Sequence, residues 1–323
     1  MDASIREEEM TFDVDGVRIP AVLSKPEQGR VTWSILIIPG SFYNDVDGNY
    51  LRKDGNPFEA RPHVYADLAH QLSALGHAVL RYARAGTTVL DYQTAAAHRR
   101  FAERAVIAAQ AFQKMRELVP EAEACAVAGH SEGSVVALLV STGSDVAADA
   151  CISLSGTAFR FFDLMVRQAE ARVQDGMASF ANFKFSFELY KKSIELVRAG
   201  EPVPNGVKAA LPPFGVHSMP EIGKQYLRDL DAVDPCKIIA DVPCPVLVVQ
   251  GGQDTSVTPE NARILIDARA RSKASTTKTF FPELQHFYKR VPPGMSETEA
   301  FGLEGESDRK VTDQIGAWLR SIR

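Results

Sequence analysis

Three residues have the types and spacing for nucleophilic catalysis without a cofactor. Gly129-His130-Ser131-Glu132-Gly133 sets a serine between two glycines, after the apolar run Cys125–Ala128 and before the apolar run Ser134–Leu139. That is the strand–turn–helix of a nucleophile elbow, where a strained turn exposes the hydroxyl and leaves no room for a Cβ at the flanking positions. A serine hydroxyl is a poor nucleophile at neutral pH, so it needs a histidine base and a carboxylate to orient that base. Asp254 ends the loop Gln250-Gly251-Gly252-Gln253-Asp254 after the apolar run Pro245–Val249, and His286 ends Pro282-Glu283-Leu284-Gln285-His286 after Thr277–Phe281. Ser131, Asp254 and His286 thus occur in the chain order serine, acid, histidine. Each lies just past the carboxyl end of a predicted strand, where open parallel sheets collect their catalytic groups. Asp241 is the runner-up acid, but it falls ahead of its strand.

Acyl chemistry also needs two N–H donors for the oxyanion. The amide of Glu132, the residue after the serine, is one. The other is expected from the loop Pro39-Gly40-Ser41-Phe42, with Ser41 preferred and Phe42 as fallback. The Glu132 side chain is expected to complement the helix dipole.

The elements that must position these residues follow a regular alternation. An edge hairpin is predicted over Met10–Ser24 around Asp15-Gly16. Strands follow at Trp33–Ile38, Ala78–Tyr82, Cys125–Ala128 and Cys151–Leu154, with helices over about 62–75, 94–118 and 132–141 between them. Apolar strands alternating with amphipathic helices predict a mostly parallel, doubly wound sheet covered on both faces. The alternation stops after Gly156. Helical stretches 159–173 and 179–199 and a Pro/Gly-rich run over 201–220 precede its resumption at Pro245–Val249, a helix over 259–270, a strand at Thr277–Phe281 and a final helix over 308–322. The insertion is rich in aromatics. Two readings stand for them: packing of its own core, or a lid whose Phe159, Phe162, Phe183 and Phe187 contact substrate.

The chain has 323 residues, 45% apolar and 24% charged, with a net charge of −5. There is no basic block that could track a phosphate backbone or an anionic membrane surface, so nucleic-acid and membrane roles are not expected. The acidic segment MDASIREEEM has no apolar signal-like core, which reads as a cytoplasmic protein. Cys125, Cys151, Cys236 and Cys244 form no C-x-x-C pair, and the histidines form no H-E-x-x-H, so neither a disulfide framework nor a metal site is expected. His63 and His70, taken to share a helix face, are too far apart to chelate jointly. Nucleotide-binding glycine motifs are missing, so no cofactor is expected and the chemistry falls to side chains.

The motifs resemble those of the α/β-hydrolase superfamily, and most closely the EstD-like bacterial carboxylesterases. The family's G-S-G-P-x-D-R-D-G-N loop is matched by residues 40–49, its G-H-S-E-G by 129–133, and its later segments by Tyr226-Leu227, Asp234-Pro235, Cys244–Leu247, Gly251–Asp254 and Gln285-His286. Two departures stand out. Phe42 and Tyr43 replace the family's glycine and proline, and Ala83-Arg84-Ala85-Gly86 replaces its D-K-R-G turn. The bulky Phe42 and Tyr43 are expected to narrow the acyl pocket and contact substrate. The resemblance implies an α/β-hydrolase fold, with residues 1–157 and 236–323 as its core and 158–235 as an inserted helical lid. It also implies a serine hydrolase acting on a small-molecule carboxylic ester through an acyl-enzyme. Thioesters, amides, lactones and acyl transfer share the same tetrahedral chemistry and stay open. So do a receptor built on a hydrolase scaffold and assembly into a homo-oligomer.

Overall fold

Short apolar runs form the central strands of one eight-stranded sheet. The computed structural model describes residues 4–41, 44–50, 60–84, 100–143, 146–174, 180–211, 215–270, 272–292, 294–295 and 297–323, without the side chains of 172–174, 180–185 and 297–298. The strands are β1 (Ile5–Val14), β2 (Val17–Pro26), β3 (Trp33–Ile38), β4 (Ala78–Tyr82), β5 (Ala124–His130), β6 (Ala150–Leu154), β7 (Val246–Gly251) and β8 (Thr276–Phe281). Their order is β1-β2-β4-β3-β5-β6-β7-β8. The first two pairings in that order are antiparallel and all the others parallel. β3, β4, β6 and β7 are buried at every position, as a parallel sheet covered on both faces demands.

The helices are α1 (Val64–Ala74), α2 (Phe101–Leu118), α3 (Glu132–Thr142), α4 (Phe161–Gln174), α5 (Phe180–Ala199), α6 (Asn205–Ala209), α7 (Glu221–Asp231), α8 (Pro235–Asp241), α9 (Pro259–Arg269), α10 (Glu297–Phe301) and α11 (Lys310–Ser321). None among the described residues is long and apolar enough to cross a membrane. The chain divides into two compact units: Met1–Ala96, Arg104–Ala158 and Pro235–Arg323 form the first, Ala97–Glu103 and Phe159–Asp234 the second.

In the first unit, Ile35 and Ile37 of β3 join Leu68 and Leu72 of α1 and Ile315, Trp318 and Leu319 of α11 in one core. β3 connects onward to β4 on one side, whereas β5 connects through α3 to β6 on the other. The chain therefore changes direction between β3 and β5, and open α/β sheets bind ligands at the carboxyl ends of the strands flanking such a switch. The hairpin is longer than expected, running from Ile5 to Pro26. Its turn puts Asp15 and Gly16 both at positive φ, the conformation that suits the strands' twist. On β4, the buried Arg81 donates to Glu7 Oε1 (2.7 Å), Ser24 Oγ (2.6 Å) and Asp47 Oδ1 (3.0 Å). Asp47 belongs to the loop after β3, and its carbonyl accepts the Tyr65 N–H at 3.1 Å, which ties that loop to the start of α1. α1 begins one residue after His63, which sits at its N-cap in the left-handed region, so His63 and His70 do not share the helix as the sequence suggested.

The second unit has its own core, in which Phe162, Ile194, Val197, Val203, Val216 and Leu227 are buried together. Asp231 fastens α4 to α5 and α7. Its carboxylate accepts the Phe162 N–H at 2.8 Å and two guanidinium donors of Arg198 at 3.0 Å. Phe162 is fully buried here with Arg198 over its ring at 5.4 Å, so of the two readings of the insertion's aromatics it fits packing of this core. The sequence does not predict α7, which follows Pro220 and buries Leu227 and Leu230.

One buried group makes the first unit acid-sensitive. Burial, helped by the charge of Arg320, holds the imidazole of His77 down to about 4, whereas an unfolded histidine takes its proton near ~6.5. Between those values the unfolded chain binds more protons, so stability falls as the pH falls from ~6.5 toward ~4 and is unaffected above that window. The contribution is on the order of 3 kcal/mol. His77→Gln is expected to lose much of this dependence, read from urea unfolding near pH ~7 and ~4.5. An equal acid loss in wild type and variant would show that other groups cause it.

Candidate active site

Ser131 joins the end of β5 to the start of α3 with φ 55° and ψ −124°, a conformation that a non-glycine residue adopts only when its surroundings enforce it. The flanking glycines make the turn possible. A Cβ on Gly129 would lie 2.1 Å from the Gly133 carbonyl oxygen, and one on Gly133 would lie 2.4 Å from that of Ile38. The Ser131 amide donates to the Leu154 carbonyl at 2.9 Å, which fixes the turn to the end of β6. The Ser131 side chain makes no capping bond to α3, so its hydroxyl has no structural task at the helix start.

Asp254 and His286 meet in a buried hydrogen bond. His286 Nδ1–H donates to Asp254 Oδ2 at 2.8 Å, which leaves Nε2 as the basic nitrogen. Asp254 is itself held, because Oδ1 accepts the Val257 N–H at 2.8 Å and Oδ2 accepts Gln250 Nε2 at 3.3 Å. Asp241 is exposed at the end of α8. The histidine is anchored beside the serine's neighbour: His130 Nε2–H donates to the His286 carbonyl at 2.9 Å, and the two rings lie 4.6 Å apart. Burial, with the adjacent His286, holds His130 down to about 3. A neutral His130 packs against the His286 ring without placing a charge beside it.

The loop after β3 sits against the same turn. A Cβ on Gly40 would lie 3.3 Å from Ser131 Cβ. The Gly40 N–H donates to Tyr65 Oη at 2.7 Å, so it is spoken for, and the Ser41 amide is the next along the loop. Ser41 Oγ donates to Glu132 Oε2 at 3.0 Å. Glu132 stands in the first turn of α3, as the dipole reading needs, and has further partners. Its carboxylate is buried and paired with the buried Arg104, and Arg84 lies 3.8 Å away. Arg104 also donates to the carbonyls of Pro39 and Gly40. Arg104, Tyr65, Gln250 and the anchoring His130 were not picked out from the sequence as site residues. Phe42 and Tyr43 lie outside the described residues, as does the Phe183 side chain. Phe159 and Phe187 are half-buried in the second unit, with Arg167 over the Phe159 ring at 3.9 Å and Lys191 over the Phe187 ring at 5.0 Å. No group of three or more potential metal ligands occurs among the described residues.

No family model matches the chain. Over 313 residues it is 23% identical to Esterase EstD of Thermotoga maritima, covering 97% of this chain and 67% of that one. Two solved structures share its architecture along nearly their whole length. Est1E from Butyrivibrio proteoclasticus matches with a TM-score of 0.56 at 15% identity, over 97% of this chain and 98% of that one. A thermostable carboxyl esterase from Bacillus coagulans, in complex with glycerol, matches with a TM-score of 0.59 at 13% identity, over 98% of both. The chain has the α/β-hydrolase fold. In this fold the turn after β5 stands where a nucleophile elbow would, and the loops after β7 and β8 carry Asp254 and His286 in the chain order serine, acid, histidine.

Proposed function

We propose that this chain is a serine hydrolase that cleaves a carboxylic ester of a small molecule through an acyl-enzyme. The observation that carries this reading is the buried Asp254–His286 bond, with His286 anchored by its carbonyl to the residue preceding a strained Ser131. In the first half-reaction, Ser131 Oγ attacks the carbonyl carbon while His286 Nε2 takes the hydroxyl proton. Asp254 keeps the Nδ1–H tautomer and stabilises the imidazolium. The tetrahedral oxyanion is met by the amide of Glu132, at the positive end of α3, and by that of Ser41. Collapse expels the alcohol, which receives the proton from His286. Water then attacks the acyl-Ser131 ester with His286 again as base, and the carboxylate leaves. Likeness to an esterase along 97% of the chain favours an open-chain carboxylic ester over the thioester, amide and lactone that the same steps would also open.

The test combines active-site labelling with turnover. A fluorophosphonate should label Ser131 alone, and in a panel of p-nitrophenyl esters, thioesters, anilides and lactones the esters should give the highest kcat/KM. Labelling with no turnover of any member would favour a receptor on a hydrolase scaffold. Absence of labelling would remove the serine mechanism.

A further inference from the structure

We propose that Arg104 is a positioning residue of the oxyanion pocket, a brace that aims the Ser41 amide by fixing the two peptide planes before it. The proposal rests on the reading of Ser131 as nucleophile. A peptide unit is planar and trans, so its C=O and N–H point in opposite directions and pinning one aims the other. The Pro39–Gly40 peptide is held at both ends: Arg104 donates to the Pro39 carbonyl, and the Gly40 N–H donates to Tyr65 Oη at 2.7 Å. The Gly40–Ser41 peptide is held at its carbonyl by Arg104 Nη1 at 3.2 Å. That leaves the Ser41 N–H pointing away from the guanidinium with its direction set.

The same guanidinium grips the other half of the pocket. Arg104 pairs with the carboxylate of Glu132, which also accepts the Ser41 hydroxyl at 3.0 Å. One buried ion pair therefore touches both residues whose amides meet the oxyanion. Burying a guanidinium costs several kcal/mol unless its donors find acceptors, and here they find a carboxylate and two consecutive carbonyls of a single turn. Neutralising Glu132 alone would need only a point charge such as lysine, whereas gripping three acceptors at fixed angles needs the planar fork of arginine. Donors aimed in advance act on the charge that develops in the transition state and little on the bound ester. Slackening them should lower kcat and leave KM nearly unchanged.

Arg104→Lys and the double variant Arg104→Met/Glu132→Leu test this in the full chain. The double variant removes both charges together, so no unpaired ion is left buried. Four quantities are read: kcat and KM on a p-nitrophenyl ester, the inhibition constant of a trifluoromethyl ketone that forms a tetrahedral adduct with the serine, and the Tm. Expected are a kcat lower by about 10–10²-fold in both variants, KM within about threefold, and inhibition by the ketone weakened by the factor lost in kcat/KM. A Tm near that of wild type in either variant separates the effect from unfolding. If one variant fails to fold, the other carries the test. Wild-type kcat and ketone affinity in a folded variant would overturn the brace, as would a rise in KM at constant kcat. Such results beside a fluorophosphonate-labelled, active wild type would sink the brace alone. A wild type that neither labels nor turns over would sink both proposals.

Discussion

Ser131→Ala is expected to lower kcat by about 10⁴-fold or more while the protein keeps its fold. The size follows from losing the nucleophile. Without the hydroxyl no acyl-enzyme forms, and only the oxyanion donors and substrate binding remain to help a direct attack by water. The preserved fold follows from the local structure. The hydroxyl makes no capping bond to α3, and alanine has the same Cβ in the same strained backbone. The amide of residue 131 keeps its bond to the Leu154 carbonyl. The check is steady-state turnover of a p-nitrophenyl ester beside thermal melts and fluorophosphonate labelling. A variant within tenfold of wild type, or one still labelled, would remove Ser131 from the mechanism.

Much of the site was legible because its signals are local. Gly129 and Gly133 mark a turn in which any Cβ would strike backbone, and the apolar runs on either side say which element enters and which leaves. Asp254 could be placed because it follows the apolar run Pro245–Val249, which reads as a buried strand, and His286 because it follows Thr277–Phe281, whose β-branched and aromatic residues read as a strand. The residues that escaped act across the fold. Arg104 sits in the ordinary helical run Phe101-Ala102-Glu103-Arg104-Ala105, and nothing local distinguishes it from the exposed arginine of any amphipathic helix. Its partners include residues 39, 40 and 132, which the sheet order brings to it. Tyr65 is hidden for the same reason, as one more ring on a helix face. Phe162 shows a different limit. Helical spacing shows that aromatics share a face, but a stripe that packs on α5 and α7 looks the same as one that lines a pocket. Glu132 fell between these cases, because its place at the helix start was readable and its buried partner was not.

Asp254→Asn is expected to cost on the order of 10⁴-fold in kcat, and Asp241→Asn almost nothing. His286 Nδ1 bonds to Asp254 Oδ2 at 2.8 Å, and a carboxylate there can only accept, so the proton stays on Nδ1 and Nε2 remains free to take one from Ser131. Asparagine presents either an oxygen or an NH₂ group. Its neighbours decide which. Oδ1 of Asp254 accepts the Val257 N–H at 2.8 Å, a closer bond than the 3.3 Å one from Gln250 Nε2 to Oδ2, so the amide oxygen of the variant belongs on the Val257 side and its NH₂ group faces the imidazole. An NH₂ donor there selects the tautomer with the proton on Nε2, which has no lone pair for the serine. The imidazolium formed during attack also loses its counter-charge. Asp241, exposed at the end of α8, has no such tie to His286. Both variants should melt close to wild type, because the replacements are isosteric. The comparison is of kcat/KM on one ester, with fluorophosphonate labelling rates alongside. A silent Asp254→Asn beside a crippled Asp241→Asn would mean that the acid is misassigned. Near-wild-type activity in both would mean that His286 works without an orienting carboxylate.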